Sequence, residues 1–264
     1  MGTLSPLLTV MTDVASRAGR SLNRDFRDVE HLQVSKKGPA DFVSIADHKA
    51  EEIIYDRLNQ ARPGYGFMME ERGIVEGTDR SHRWIVDPLD GTLNFLHGMP
   101  HFAVSIALER EGELVAGVVY NPATDEMFHA EKGRGAWLAD RRLRVAGRKH
   151  LDESVVSTGM PFVGKKGHAQ FLKELHQVMP HAAGVRRMGS AALDLAWVAA
   201  GRYDCFWERN LQAWDIAAGI VLVKEAGGFV SEIDGRDDPL ISGNIAAGNE
   251  DMLRELQKRL DAAR

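Results

Sequence analysis

Between Trp84 and Gly98 the chain reads Trp84-Ile85-Val86-Asp87-Pro88-Leu89-Asp90-Gly91-Thr92-Leu93-Asn94-Phe95-Leu96-His97-Gly98. Trp84 to Val86 is an apolar run suited to a short buried strand, Pro88 and Gly91 stop it, and Thr92 onward can open a helix. Two aspartates three residues apart therefore meet the free main-chain N–H groups of a helix start in one loop. Asp87 and Asp90 can hold hard divalent cations through oxygen, and the Gly91 and Thr92 amides can hold a phosphate between those cations and the protein. A plain turn fits the same residues, because Asp-Pro and Asp-Gly pairs form turns and aspartates cap helices. Local chemistry leaves both readings open.

The periodicity around this stretch indicates what it is built into. Ser5-Pro6 followed by Leu7, Val10, Val14 and Ala18 predicts a capped amphipathic helix. Phe42 to Asp47 leads into a helix with Ala50, Ile53, Ile54 and Leu58 on one face, ending at Pro63-Gly64. Gly66 to Met69 reads as a buried strand delivering Glu70 and Glu71, which repeats the logic of Asp87. Phe102 to Leu108 and Leu114 to Tyr120 flank Glu111-Gly112 as a hairpin, continued by Met127 to Ala130 and Ala136 to Leu138. From about residue 150 strands (Val155 to Ser157, Val185 to Met188, Tyr203 to Trp207) alternate with helices (Gln170 to Met179, Ala191 to Ala200). Asp215 opens a further helix to Ala226, stopped by Gly227-Gly228, and Met252, Leu253, Leu256 and Leu260 mark a last amphipathic helix. The pattern predicts one mixed α/β domain over 1–264, with a sheet-rich sub-domain of about 1–150 and an alternating α/β sub-domain of 151–264.

Composition narrows the function classes. With 33 basic and 38 acidic residues the net charge is −5, which argues against a direct nucleic-acid binder. Arg141, Arg142, Arg144, Arg148 and Lys149 form a local basic run of the kind that usually solvates a surface. Cys205 is the only cysteine, so no intramolecular disulfide exists and a reducing compartment is expected. Neither a secretory leader nor a run of transmembrane length is visible, so the expectation is a cytoplasmic protein with no membrane partner.

Asp87-Pro88-Leu89-Asp90-Gly91-Thr92 after Trp84-Ile85-Val86 resembles the signature of the inositol monophosphatase family of magnesium-dependent, lithium-sensitive phosphatases. Trp214-Asp215-Ile216-Ala217-Ala218-Gly219 resembles that family's second signature, and the resemblance runs from Lys36 to about Gly248. It implies a layered α-β-α-β-α sandwich with mixed sheets, of the inositol monophosphatase and fructose bisphosphatase type, and a homodimer. It also implies Glu70, Asp87, Asp90, Asp215 and the Leu89 carbonyl as ligands of two to three Mg2+ ions, and Gly91 with Thr92 as the phosphate cradle. Asp47 and Thr92 would orient the attacking water, which requires their side chains to lie within about 2.6–3.2 Å. Gly189, Ser190, Ala191 and Glu208 match the sugar-ring pocket, and Lys36 matches a lysine near the site. Plainer alternatives stand beside these roles. Ser44-Ile45-Ala46-Asp47 is a capping box, Asp215 suits an N-cap, Gly189 to Ala192 is a good helix start, and Glu208 can pair with Arg187 or Arg209. Met69, where the family commonly has glycine, and Arg72 after Glu71 depart from the pattern at the third, weaker metal position.

Leu93-Asn94-Phe95 followed by His97-Gly98 resembles the inositol monophosphatase branch, whereas relatives acting on 3′-phosphoadenosine 5′-phosphate or histidinol phosphate tend to carry Lys-Glu-Phe or Arg-Ala-Phe there. The expected activity is magnesium-dependent hydrolysis of a phosphate monoester by water, myo-inositol 1-phosphate first, with fructose 1,6-bisphosphatase or dual activity as the alternative. Bacterial relatives that look like this chain include extragenic-suppressor proteins associated with transcription. Association with RNA polymerase, with catalysis dispensable, is therefore the competing expectation, and Arg186-Arg187 is a basic pair that could serve it.

Overall fold

Trp84, Ile85 and Val86 do not share a core: Trp84 and Val86 enter one apolar cluster and Ile85 another, as in a strand covered on both faces. The layers follow from that. The computed structural model describes residues 4–29, 34–38, 41–236 and 238–263. In chain order it begins with α1 (Pro6–Phe26), the hairpin β1 (Val34–Gly38) and β2 (Asp41–Ser44), and α2 (Ile45–Ala61). Next come β3 (Tyr65–Met69), β4 (Gly73–Val75), β5 (Asp79–Asp90), the short α3 (Thr92–Leu96), β6 (Ala103–Arg110), β7 (Glu113–Asn121), β8 (Glu126–Glu131), β9 (Gly135–Leu138) and β10 (Arg141–Arg142). These strands form an eight-stranded sheet ordered β10-β9-β8-β7-β6-β5-β3-β4, antiparallel except where β3 meets β5. The second half supplies β11 (Val155–Thr158), α4 (His168–Val178), β12 (Gly184–Arg186), α5 (Ala191–Ala199), β13 (Cys205–Glu208), α6 (Ala213–Glu225), β14 (Phe229–Ser231), α7 (Pro239–Ser242), β15 (Ile245–Gly248) and α8 (Glu250–Asp261). Its five strands are ordered β12-β11-β13-β15-β14.

Helices α1 and α2 cover one face of the large sheet, burying Met11, Leu22, Ile54 and Leu58 against Trp84, Val86, Phe95 and Phe102. Ser5 caps α1, its Oγ accepting the Leu8 N–H at 3.1 Å, with Pro6 in the first turn. Helices α5 and α6 fill the space between the two sheets and are apolar almost all round, as a helix buried on every side must be. On the outer face of the small sheet α4 and α8 pack Val178 and Leu256 against Trp207. The result is the five-layered α-β-α-β-α sandwich that the resemblance implies.

Two glycines seat α6. A Cβ at Gly117 of β7 would lie 2.6 Å from the Ala218 carbonyl oxygen, and one at Gly219 would lie 2.5 Å from the Leu195 Cβ of α5. Gly117→Val is expected to lower unfolding free energy by about 1–3 kcal/mol through overpacking. Denaturant unfolding checks this.

Three local features differ from the sequence expectation. Strand β5 does not end before Pro88 but runs to Asp90, with its register against β6 shifting between Asp87 and Asp90. A bulge asks no ladder N–H of the proline, so the strand passes through it. Helix α6 opens at Ala213 after Gln212, which places Asp215 at its third position and not at the cap. Strand β15 gave no sequence signal, because Ile245-Ala246-Ala247-Gly248 is buried throughout and has no alternation.

Candidate active site

Glu70 follows the end of β3, Asp87 and Asp90 sit at the bulged end of β5, and Asp215 lies in the first turn of α6. Asp87, Asp90 and Asp215 each bring one carboxylate oxygen within 4.8 Å of the others. Main-chain donors hold them there. Asp87 Oδ1 accepts the Leu89 N–H at 2.9 Å, Asp90 Oδ2 accepts the Ala192 N–H at 2.8 Å and the Ser190 hydroxyl, and Asp215 Oδ2 accepts the Gln212 N–H at 2.7 Å. The Glu70 N–H donates to the Val86 carbonyl at 3.3 Å, extending the ladder by one residue.

Burial, then the neighbouring charges of Glu70, Asp90 and Asp215, push the Asp87 carboxyl well above the usual carboxylate range. Asp215 is raised in the same way by burial and by Asp90. Burial raises Asp90 to about 6 against the hydrogen bonds from Ser190 and Ala192. Crowded, desolvated acids with no cationic side chain among the described residues of the cluster, offering oxygen alone, fit a hard divalent ion. Each of these groups holds its proton more tightly folded than unfolded. Their stabilisation is thus complete below about pH 4, where unfolded carboxylates titrate, and is lost as pH rises through the folded values. The thermal midpoint of EDTA-treated protein should accordingly fall between about pH 5 and about pH 8, and Mg2+ should restore more of it at the higher pH. Equal Mg2+ shifts at both ends would remove the repulsion argument.

Asp47, fully buried in the first turn of α2, divides its oxygens between two tasks. Oδ2 accepts the Ser44 N–H at 2.8 Å and the Ser44 hydroxyl at 2.6 Å, completing the capping box, while Oδ1 faces the Thr92 hydroxyl at 3.3 Å. That distance is slightly beyond the expected reach, because Thr92 Oγ1 lies closer to the Leu89 carbonyl, at 3.0 Å. Burial raises the Asp47 carboxyl and the Ser44 hydrogen bonds oppose it. Gly91 takes φ +89°, and a Cβ there would meet the His101 and Gly189 carbonyls at 3.0 and 3.3 Å.

Between these loops stands Asn94, which the sequence offers only as part of the branch motif and not as a bridging residue. Its Nδ2 donates to the His101 and Met188 carbonyls, both at 2.8 Å, and so clips the segment before α5 onto the stretch after β5. An asparagine between apolar neighbours in a five-residue helix was the available signal. Gly189 follows at φ +88°, Ser190 caps α5 with its hydroxyl turned to Asp90, and Ala191 is buried beside it. Glu208, at the end of β13, is pushed up to about 8, first by burial and then by Asp90, with Arg187 opposing. Arg209 pairs with Glu174 at 2.6 Å instead. A Cβ at Gly159 would fall 1.8 Å from Glu208 Oε1, so this glycine, also unforeseen, makes the room for that carboxylate. Glu70, Asp215, Glu208, Gly159, Trp214 and Phe162 line one cleft of about 420 Å³. The Lys36 side chain lies outside the described residues. Cys205 is buried and its thiol is pushed up by that burial, which suits a structural role.

The model of the family described as "Inositol monophosphatase family" matches residues 3–263. Inositol-1-monophosphatase of Mesorhizobium japonicum is 63% identical over 254 residues, 96% of each chain. The Nus factor SuhB of Pseudomonas aeruginosa is 43% identical over 96% of this chain and 95% of its own. The crystal structure of the extragenic suppressor protein suhB from Bartonella henselae superposes with a TM-score of 0.95 at 57% identity, covering 97% of this chain and 98% of that one. The chain belongs to the inositol monophosphatase family.

Proposed function

We propose that this protein hydrolyses a phosphate monoester, with myo-inositol 1-phosphate as the first candidate, using two to three Mg2+ ions held by Glu70, Asp87, Asp90, Asp215 and the Leu89 carbonyl. The observation that carries the reading is the oxygen cluster beside the Asp47–Thr92 pair, at the end of a cleft that also contains Glu208. Divalent ions bound there would supply charge neutralisation at the phosphate and acidify a water. The chain's own groups do the rest. Asp47 Oδ1 and the Thr92 hydroxyl accept from and orient the attacking water, with Asp47 placed to receive its proton. The Gly91 and Thr92 N–H groups hold phosphate oxygens, Glu208 accepts hydrogen bonds from ring hydroxyls, and Gly189, Ser190 and Ala191 form the wall that a ring approaches. Water attacks directly in this proposal, and the one thiol, Cys205, is buried with its proton held.

The test is phosphate release from inositol 1-phosphate, fructose 1,6-bisphosphate, histidinol phosphate and 3′-phosphoadenosine 5′-phosphate at matched concentrations, with Mg2+, without it and with Li+. Magnesium-dependent, lithium-sensitive preference for inositol 1-phosphate is expected. A preference for fructose 1,6-bisphosphate would keep the mechanism and move the substrate, and no turnover of any ester by folded protein would end the reading. The chain works in this proposal as one catalytic domain, a cytoplasmic homodimer. A second reading, association with RNA polymerase, is favoured by the similarity to a relative named a Nus factor and by the exposed Arg186 and Arg187. Polymerase capture lost in Arg187→Ala but kept in Asp87→Asn would support it.

A further inference from the structure

Glu51 has no part in the reading above, yet it is a carboxylate only 4% exposed. It lies on α2 one turn beyond Asp47, with Tyr55 a turn further on, and residues four apart share a helix face. While Asp47 reaches Thr92, Glu51 Oε2 accepts the main-chain N–H of Glu71 at 2.9 Å, and the Arg72 N–H bonds the same carboxylate. Arg72 Nε lies 3.9 Å from Oε1, its guanidinium stands 4.1 Å above the Tyr55 ring, and that ring packs 4.8 Å from Phe67 of β3. The segment held in this way is the turn from β3 to β4 that begins at Glu70. Strand β4 is the sheet's outermost, three residues long, so among the described residues no further strand braces the turn from that side.

We infer that Glu51 is a positioning residue for cation binding. Its carboxylate gathers the N–H groups of the turn, with Arg72 clamped between it and Tyr55, and so keeps Glu70 facing Asp87 and Asp215. Glu51 thereby sets the affinity for the cation at Glu70, separately from the affinity at the Asp87, Asp90 and Asp215 cluster. A carboxylate suits the position because only acceptors face the converging donors, whereas an amide would turn its own donors toward them. Of the two departures from the family pattern, Met69 ends β3 just before this turn and Arg72 lies in it. The inference rests on the reading of Glu70 as a ligand.

Mn2+ titration followed by electron paramagnetic resonance, on Glu51→Gln, Glu51→Ala and Glu70→Gln proteins, tests it alongside thermal unfolding in EDTA. The weakest Mn2+ should bind about tenfold less tightly in Glu51→Ala, and by a smaller factor in Glu51→Gln, while the tighter binding stays within about twofold. If the alanine variant does not fold, the glutamine variant carries the test. A lower unfolding midpoint with an unchanged Mn2+ isotherm would mean that Glu51 serves the fold alone and would overturn the proposal, as would equal weakening of every ion. Should Glu70→Gln itself leave the isotherm unchanged, the ligand reading falls; should it weaken the same ion while the Glu51 variants match wild type, only the role of Glu51 falls.

Discussion

Asp87→Asn is expected to lower kcat/KM for the phosphate ester by about 10³-fold, the equivalent of about 4 kcal/mol of charge stabilisation. It is also expected to raise the thermal midpoint of the cation-free protein. Both follow from one geometry. Asp87 is the most enclosed of the three clustered aspartates, and Glu70, Asp90 and Asp215 all oppose its charge. Asparagine keeps an acceptor for the Leu89 N–H while removing the repelled charge, so the empty protein gains stability and the cations lose a ligand. Phosphate-release kinetics and differential scanning calorimetry in EDTA check the two halves. Activity near wild type in the folded variant would sink the metal assignment.

Asp47→Asn should separate catalysis from cation binding, lowering kcat by about 10²–10⁴-fold, the range of a positioned general base. Cation affinity should change little, because Asp47 is not among the acids that share the cluster. The same change disturbs the cap on α2, since an amide cannot accept at both oxygens from Ser44 and Thr92, and about 1 kcal/mol of stability should go with it. Thr92→Ser should retain most of the rate and Thr92→Val should lose it. If Thr92→Val turned over like wild type, the hydroxyl would be a brace for the Leu89 carbonyl and nothing more.

Wherever side chains alternate or recur at helical spacing, the sequence was readable. The hairpin at Glu111-Gly112, the strand into Asp87, and the helices beginning near Ser5 and Ser190 all lie where periodicity and capping residues put them. Asp87 and Asp90 stood out as a strand end meeting a helix start, but a plain turn fitted them equally; the full acid set and the five-layer order came only through family resemblance. What stayed hidden depends on partners distant in the chain. Asn94 has meaning only once Met188 lies beside it, Gly159 only against Glu208, and Glu51 only when Glu71 turns back toward α2. Strand β15 is uniformly buried, which erases the alternation that would have revealed it. Pro88 misled because a bulge frees it from the ladder, something the residue itself does not announce.

The seat of α6 on β7 has a consequence for the order of assembly. Glu70, Asp87 and Asp90 belong to a sheet whose strands are all in place by Arg142, but Asp215 arrives with a helix made much later in the chain. Until α6 docks on Gly117, the sheet's second face lacks that helix and the proposed cation site lacks one of its carboxylates. Cation affinity is therefore a gauge of completed folding. During refolding from denaturant it should appear with the last phase that covers the sheet, after the strands have paired.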